Sequence, residues 1–206
     1  PINFMKDNLD DILLKVLRIP NKTKANLREW NTFVQKTKNG KKKVKIAVVG
    51  KYFDSGDFVL SDVYISVLEA IKFSAYSQNV KAVLTCINSK DFESKKLKPS
   101  VLANYDGVIV PGGFGESGVE GILLAIQYAR EHSIPYFGLC YGMQLLVVEY
   151  ARNVLGWRDA HTTEIAKKTS HPVIDIMKDQ TSHMKGGNYG ATMRLGAYPA
   201  YLTKGS

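Results

Sequence analysis

The stretch Ile134-Pro135-Tyr136-Phe137-Gly138-Leu139-Cys140-Tyr141-Gly142-Met143-Gln144 holds residue types at a spacing that could do covalent chemistry. A short apolar run ends in Gly-Leu-Cys-Tyr-Gly and passes at once into an apolar-periodic segment. That pattern predicts a buried strand turning sharply into a helix, with Cys140 at the corner. Glycines two residues before and two after the cysteine remove Cβ atoms that would collide in so tight a turn. A thiol at the first turn of a helix meets unpaired N–H groups and the positive end of the dipole. Both favour the thiolate, which is the nucleophile. Cysteine is also a common small core residue, so the pentapeptide alone fits a buried structural thiol as well.

A second stretch, Pro111-Gly112-Gly113-Phe114-Gly115, lets backbone N–H groups approach a ligand with no side chain in the way. If the N–H groups of Gly113 and Tyr141 converge, they form an oxyanion hole for a tetrahedral intermediate on an acyl substrate. An ordinary turn between strand and helix is the plainer alternative. The stretch lacks the Gly-Lys-Ser/Thr ending of a P-loop and the spacing of a dinucleotide fingerprint, which sets phosphate binding aside.

The elements that must position these residues alternate along the chain. Strands are expected at Val44–Gly50, Val80–Ile87, Gly107–Val110 and Tyr136–Leu139. Helices are expected from Ser61, from Val119 to Arg130, and from the corner cysteine towards Gly156. Such alternation means parallel β-α-β units, hence an α/β fold: an open, doubly wound, mostly parallel sheet with helices on both faces. Ligands in such sheets bind at the carboxyl ends of the strands, where both Gly112-Gly113 and Cys140 fall.

Residues 1–43 read differently. Leu9, Ile12, Leu13, Val16 and Leu17 line one helical face, with Asp7 or Asn8 as cap and Pro20 as stop, and Leu27, Trp30, Phe33 and Val34 repeat the pattern more weakly. This leader is expected to lean on a neighbouring domain. It carries 11 Lys or Arg against 4 Asp or Glu, so most of the chain's net charge of +9 belongs to it. The run Lys36-Thr37-Lys38-Asn39-Gly40-Lys41-Lys42-Lys43 has no interleaved aromatics and reads as a solvated linker, with no nucleic acid as partner. Cys86 and Cys140 show no disulfide spacing, and no apolar run reaches membrane-span length, so a cytoplasmic setting is expected, with no membrane partner and no metal site. The chain opens on Pro1-Ile2-Asn3 without an initiator methionine, as a processed chain or a piece of a larger one would.

Several motifs in order carry a resemblance. Pro111-Gly112-Gly113-Phe114-Gly115, Gly118-Val119-Glu120-Gly121, Cys140 to Leu145 and Glu149-Tyr150-Ala151-Arg152-Asn153-Val154 resemble the class I glutamine amidotransferase domains of CTP synthases. So do Thr163-Glu164, His171-Pro172-Val173-Ile174 and Thr192-Met193-Arg194-Leu195-Gly196, the last being the most telling. The resemblance implies a flavodoxin-like amidotransferase domain over residues 44–206, and a leader similar to the tail of a synthetase domain and its linker. It implies that Cys140 forms a glutamyl thioester, that Gly113 and Tyr141 hold the oxyanion, and that Gly142, Met143, Gln144 and Glu164 contact L-glutamine, with Glu164 on the α-ammonium. It implies no cofactor in this domain. ATP, UTP and magnesium would bind an N-terminal synthetase domain, GTP would be an allosteric activator, and the parent protein would be a homotetramer. Other members of this outlook are the glutaminase of another synthetase and a non-catalytic assembly or regulatory domain.

Three departures stand out. Ser117 replaces an arginine that the family links to GTP activation, and Tyr141 replaces a leucine whose role is played by backbone. The third is larger, because a thiol nucleophile needs a histidine and a carboxylate for proton transfer. The family takes these from a His-Pro-Glu motif near its C-terminus, and these 206 residues contain none. His171-Pro172 is followed by valine, His132 is expected on the helix after the glycine loop, and His161 and His183 are expected in polar loops. The expectation is an amidotransferase domain lacking its C-terminal part and inert alone.

Overall fold

β-Branched residues dominate the run that becomes β1 (Lys42–Gly50), whose last four residues are buried. A strand covered on both faces needs such a run. The computed structural model describes residues 1–20, 25–40, 42–55, 58–59 and 61–176. His183, the Thr192–Gly196 motif and the 201–206 end lie outside them.

Before β1 come α1 (Ile2–Lys6), α2 (Leu9–Val16) and α3 (Arg28–Asn39). After it, short strands β2 (Asp54–Ser55) and β3 (Phe58–Val59) pair antiparallel, and a 3₁₀ turn at Ser61–Tyr64 leads into α4 (Ile65–Ser77). There follow β4 (Val80–Asn88), α5 (Ser89–Glu93), a 3₁₀ segment at Pro99–Asn104, β5 (Gly107–Val110), α6 (Val119–Glu131), β6 (Tyr136–Gly138) and α7 (Tyr141–Asn153). The strands β7 (His161–Thr162) and β8 (Pro172–Ile174) form a separate parallel pair.

The main sheet is parallel throughout, in the order β4-β1-β5-β6, with Val48 opposite Cys86 on one side and Ile109 on the other. The chain starts in the middle, winds outward through α4 to β4, then crosses back to β5 and β6. Val48 packs with Leu68 of α4, and Ile46, Val67, Ile71 and Leu84 close around them. Alternation along β1 turns Ala47 and Val49 to the opposite face, where α6 contacts the strand. On α6 a stripe of Val119, Ile122, Leu123, Ile126 and Ala129 is buried at helical spacing. The expected doubly wound architecture is present.

Two local expectations change. The basic run takes regular structure: Lys36 to Asn39 finish α3, and Lys42 and Lys43 begin β1, opposite Val80 and Lys81 of β4. Lysines suit both places, since cations favour a helix C-terminus and blunt an exposed strand start. The leader also leans partly on this same chain, for Phe33 of α3 stacks on Phe73 of α4 at 5.3 Å and meets the edge of Tyr76 at 6.1 Å. The predicted face of α2 has no buried residue.

By contact density the chain forms two units, residues 1–146 and 147–206, with α7 crossing the division. In the second unit Glu149 is buried and accepts from Asn153 Nδ2 at 3.0 Å. Asp159 accepts from the Ser170 N–H at 2.8 Å and lies 2.6 Å from His171 Nδ1. These bonds, the Ser170 hydroxyl first, hold its carboxyl far below the usual range. No helix among the described residues is long and apolar enough to cross a membrane.

Candidate active site

The order β4-β1-β5-β6 makes the chain leave β1 in one direction and β5 in the other, the switch point at which sheets of this kind place their ligands, beyond the carboxyl ends of the strands. Three segments meet there: Gly50-Lys51-Tyr52 after β1, Pro111 to Gly115 after β5, and Leu139-Cys140 after β6.

Between Gly138 and Tyr141 the chain reverses within two residues. Cys140 has φ +50, in the left-handed region, and its thiol side chain is exposed. The Leu139 N–H donates to the Val110 carbonyl at 2.9 Å and the Gln144 N–H to that of Cys140 at 3.1 Å, so Cys140 caps α7 immediately before its first residue, Tyr141. Both flanking glycines are required. A Cβ on Gly142 would lie 2.3 Å from the Val110 carbonyl oxygen, and one on Gly138 would lie 2.5 Å from Gly142 backbone.

The glycine turn faces the thiol. A Cβ on Gly112 would sit 3.6 Å from Cys140 Cβ and 4.0 Å from its Sγ. Gly113 is buried, with Tyr141 Cδ1 3.5 Å from where its Cβ would be. Among the described residues nothing accepts a hydrogen bond from the Gly113 N–H. A buried donor left in this state is rare.

Side chains that sequence reasoning missed hold this turn. Lys51, 5% exposed, donates from Nζ to the carbonyls of Phe114, at 2.7 Å, and Gly115, and stands 5.0 Å from the centre of the Tyr141 ring. The Tyr52 hydroxyl accepts from the Phe114 N–H at 2.9 Å, and the Tyr141 hydroxyl donates to the Gly115 carbonyl at 2.8 Å. The Tyr64 hydroxyl donates to the Gly112 carbonyl at 3.3 Å. A lysine and an aromatic after a strand-ending glycine look like solvent-facing loop residues. The available signal was positional, because the strand that begins such a fold ends at the switch point.

The other sequence candidates fall as follows. Met143 is exposed, Gln144 half-buried, and Gly142 buried against Val110. Ser117 is exposed in the turn before Gly118, whose φ of +77 opens α6. Glu164, in the second unit, is half-buried, and its N–H donates to Thr162 Oγ1 at 3.2 Å. Each described histidine has ring partners: His132 with the Tyr128 carbonyl and ring, His171 with Asp159 and Trp157. His161 corrects the expectation of a polar loop, since it is buried on β7 with Nδ1 accepting from the Thr162 N–H. Among the described residues no three His, Cys, Asp or Glu side chains cluster as a metal site.

The class I glutamine amidotransferase family model matches residues 59–206. The chain is 44% identical over 206 residues to a CTP synthase of Lactococcus lactis subsp. lactis, covering all of this chain and 37% of that protein. Against the CTP synthases of Pyrococcus abyssi and Sulfurisphaera tokodaii, identity is 44% and 45% over the same length, with 36% and 37% of those proteins covered. The chain therefore spans little more than a third of the curated relatives it matches. Among solved structures, the glutaminase domain of a Trypanosoma brucei CTPS with bound acivicin superposes with a TM-score of 0.59 at 38% identity, over 66% of this chain and 51% of that one.

Proposed function

The chain belongs to the class I glutamine amidotransferase family, and on that premise we propose that it is the glutaminase part of a CTP synthase. It would hydrolyse the side-chain amide of L-glutamine and supply ammonia for amination of UTP. The observation that carries this reading is the exposed Cys140 thiol beside a glycine turn whose buried Gly113 N–H has no partner among the described residues.

In this reading the Cys140 thiolate attacks the amide carbon and the carbonyl electrons move onto oxygen, which accepts from the Gly113 and Tyr141 N–H groups. The carbon–nitrogen bond then breaks and ammonia leaves with an added proton. The resulting γ-glutamyl thioester is cleaved by water to glutamate and free thiol. Gln144 and Met143 are assigned to glutamine on the motif alone, as is Glu164 to its α-ammonium. The proton-transfer histidine and its carboxylate are assigned to a His-x-Glu outside these 206 residues, which leaves this chain inert alone. ATP, UTP and magnesium are assigned to a synthetase domain of the parent protein. Tetramer formation, GTP activation despite Ser117 and a cytosolic location likewise belong to the proposal.

The test uses the full-length protein that carries this chain. Glutamine should be hydrolysed, Cys140→Ala should abolish glutamate release, and acivicin should modify Cys140 alone. Hydrolysis with ammonia passed to another acceptor would favour a different synthetase. Absence of both turnover and labelling would favour a non-catalytic domain.

A further inference from the structure

Three carbonyls of the glycine turn are bound by side chains, but only one of those bonds falls on the peptide that carries the Gly113 N–H. That bond is the Tyr64 hydroxyl to the Gly112 carbonyl, at 3.3 Å. The carbonyl and N–H of a trans peptide point in opposite directions, and none of the described peptide bonds is cis. Fixing the Gly112 carbonyl therefore fixes the direction of the Gly113 N–H.

We propose that Tyr64 is a positioning residue for glutamine hydrolysis: from the opposite side of the peptide, its hydroxyl aims the Gly113 N–H at the oxygen that becomes negative as Cys140 attacks. The inference rests on the glutaminase reading and deepens it.

The tyrosine is built to hold one position. It is 8% exposed, and its ring meets Phe53 edge-on at 5.3 Å. Gly50 leaves room for that ring, since a Cβ there would come within 2.7 Å of Tyr64 and 2.9 Å of Phe53. The Lys51 N–H donates back to the same hydroxyl at 3.5 Å, so the end of β1 and the turn after β5 are joined through one oxygen. Burial pushes the phenol above its ordinary value of 10.0, which keeps it a donor across the neutral range. The hydroxyl touches no reacting atom in this arrangement. It removes the cost of turning a peptide at the moment charge develops, which is how preorganised donors accelerate acyl transfer.

The experiment is Tyr64→Phe in the full-length protein, assayed for glutamate release and for alkylation of Cys140 by iodoacetamide. Iodoacetamide reacts at a saturated carbon and forms no oxyanion, so it reports the thiol and the fold but not the aimed N–H. Removing a direct oxyanion donor costs about 10²- to 10³-fold in kcat, and an indirect one should cost about 10- to 100-fold. KM should move by less than about two-fold, since ground-state binding is not at stake. The iodoacetamide rate should not change. A second variant carries a tyrosine fluorinated beside the hydroxyl at position 64, which keeps the ring and ionises at lower pH. A phenolate cannot donate, so its kcat should fall as pH rises through that ionisation while the wild type does not. An unchanged kcat in Tyr64→Phe, a flat pH profile in the fluorinated protein, or an iodoacetamide rate that falls in step with kcat would overturn the proposal. A wild type that releases no glutamate, or a Cys140→Ala protein that still does, overturns the glutaminase reading instead.

Discussion

At the scale of single residues, the corner cysteine is held in a left-handed conformation that costs a residue with a Cβ about 1–2 kcal/mol. The bonds around it, from the Leu139 N–H to the Val110 carbonyl and from the Gln144 N–H to the Cys140 carbonyl, are backbone ones, so the turn and not the side chain imposes that conformation. That much was readable from Gly138, Cys140 and Gly142, because steric demands at a corner follow from residue type and spacing alone. Lys51 was not readable, since its role depends on two carbonyls more than sixty residues away. The cation's loss can be anticipated in size. Lys51→Met keeps most of the buried stem but removes both hydrogen bonds, while Phe114 and Gly115 each retain a tyrosine hydroxyl donor. Destabilisation should therefore sit at the low end for a lost charged donor, about 1–2 kcal/mol, measured as a lower urea midpoint with unchanged slope.

Between elements, the distances that matter are those at which backbones touch. The end of β6, the start of α7 and the end of β5 come close because Gly138 and Gly142 carry no side chain, which leaves room for the Val110 carbonyl and side chain against α7. Adding one methyl at Gly142 would push α7 off β5, since the obstructing atom is a carbonyl oxygen that cannot rotate away. Gly142→Ala should cost about 2–3 kcal/mol as an overpacked contact, and glutamine hydrolysis should fall with it as Cys140 is displaced. Gly115→Ala is the contrast. Its Cβ would meet nothing within 4 Å, and only the φ of +72 opposes it, so about 1 kcal/mol is expected. Urea denaturation of the two proteins side by side separates crowding from backbone strain. Strand and helix order was legible from period and glycine punctuation. The 3₁₀ turn before α4 was not, nor was the extension of β1 into the basic run, because pairing with β4 overrides lysine's poor strand preference.

For the molecule as a whole, alternation of strands and helices predicted a parallel sheet, and its winding places the ends of β1, β5 and β6 side by side. What sequence could not decide is how the leader joins that sheet, since an apolar helical face states that it needs cover but not what covers it. The structure answers for α3 through one aromatic cluster. Phe33 lies between Trp30, at 5.8 Å, and the Phe73 and Tyr76 rings of α4, and none of these rings belongs to the glycine turn or the corner. Attachment and chemistry should then separate experimentally. Phe33→Ala removes a half-buried aromatic with two ring contacts on α4, and a loss of about 2–3 kcal/mol for the α3–α4 contact is expected, somewhat below that of a fully buried phenylalanine. With α3 loosened, trypsin should cut after Lys36 and Lys38 at low protease, where the intact helix shields them. Alkylation of Cys140 by iodoacetamide should proceed at the wild-type rate, because the ring partners of Phe33 are Trp30, Phe73 and Tyr76, outside the corner and the glycine turn. Faster cleavage with unchanged labelling would establish α3 as an attachment to the sheet. Slowed labelling would instead make the aromatic cluster part of what holds the strand ends in register.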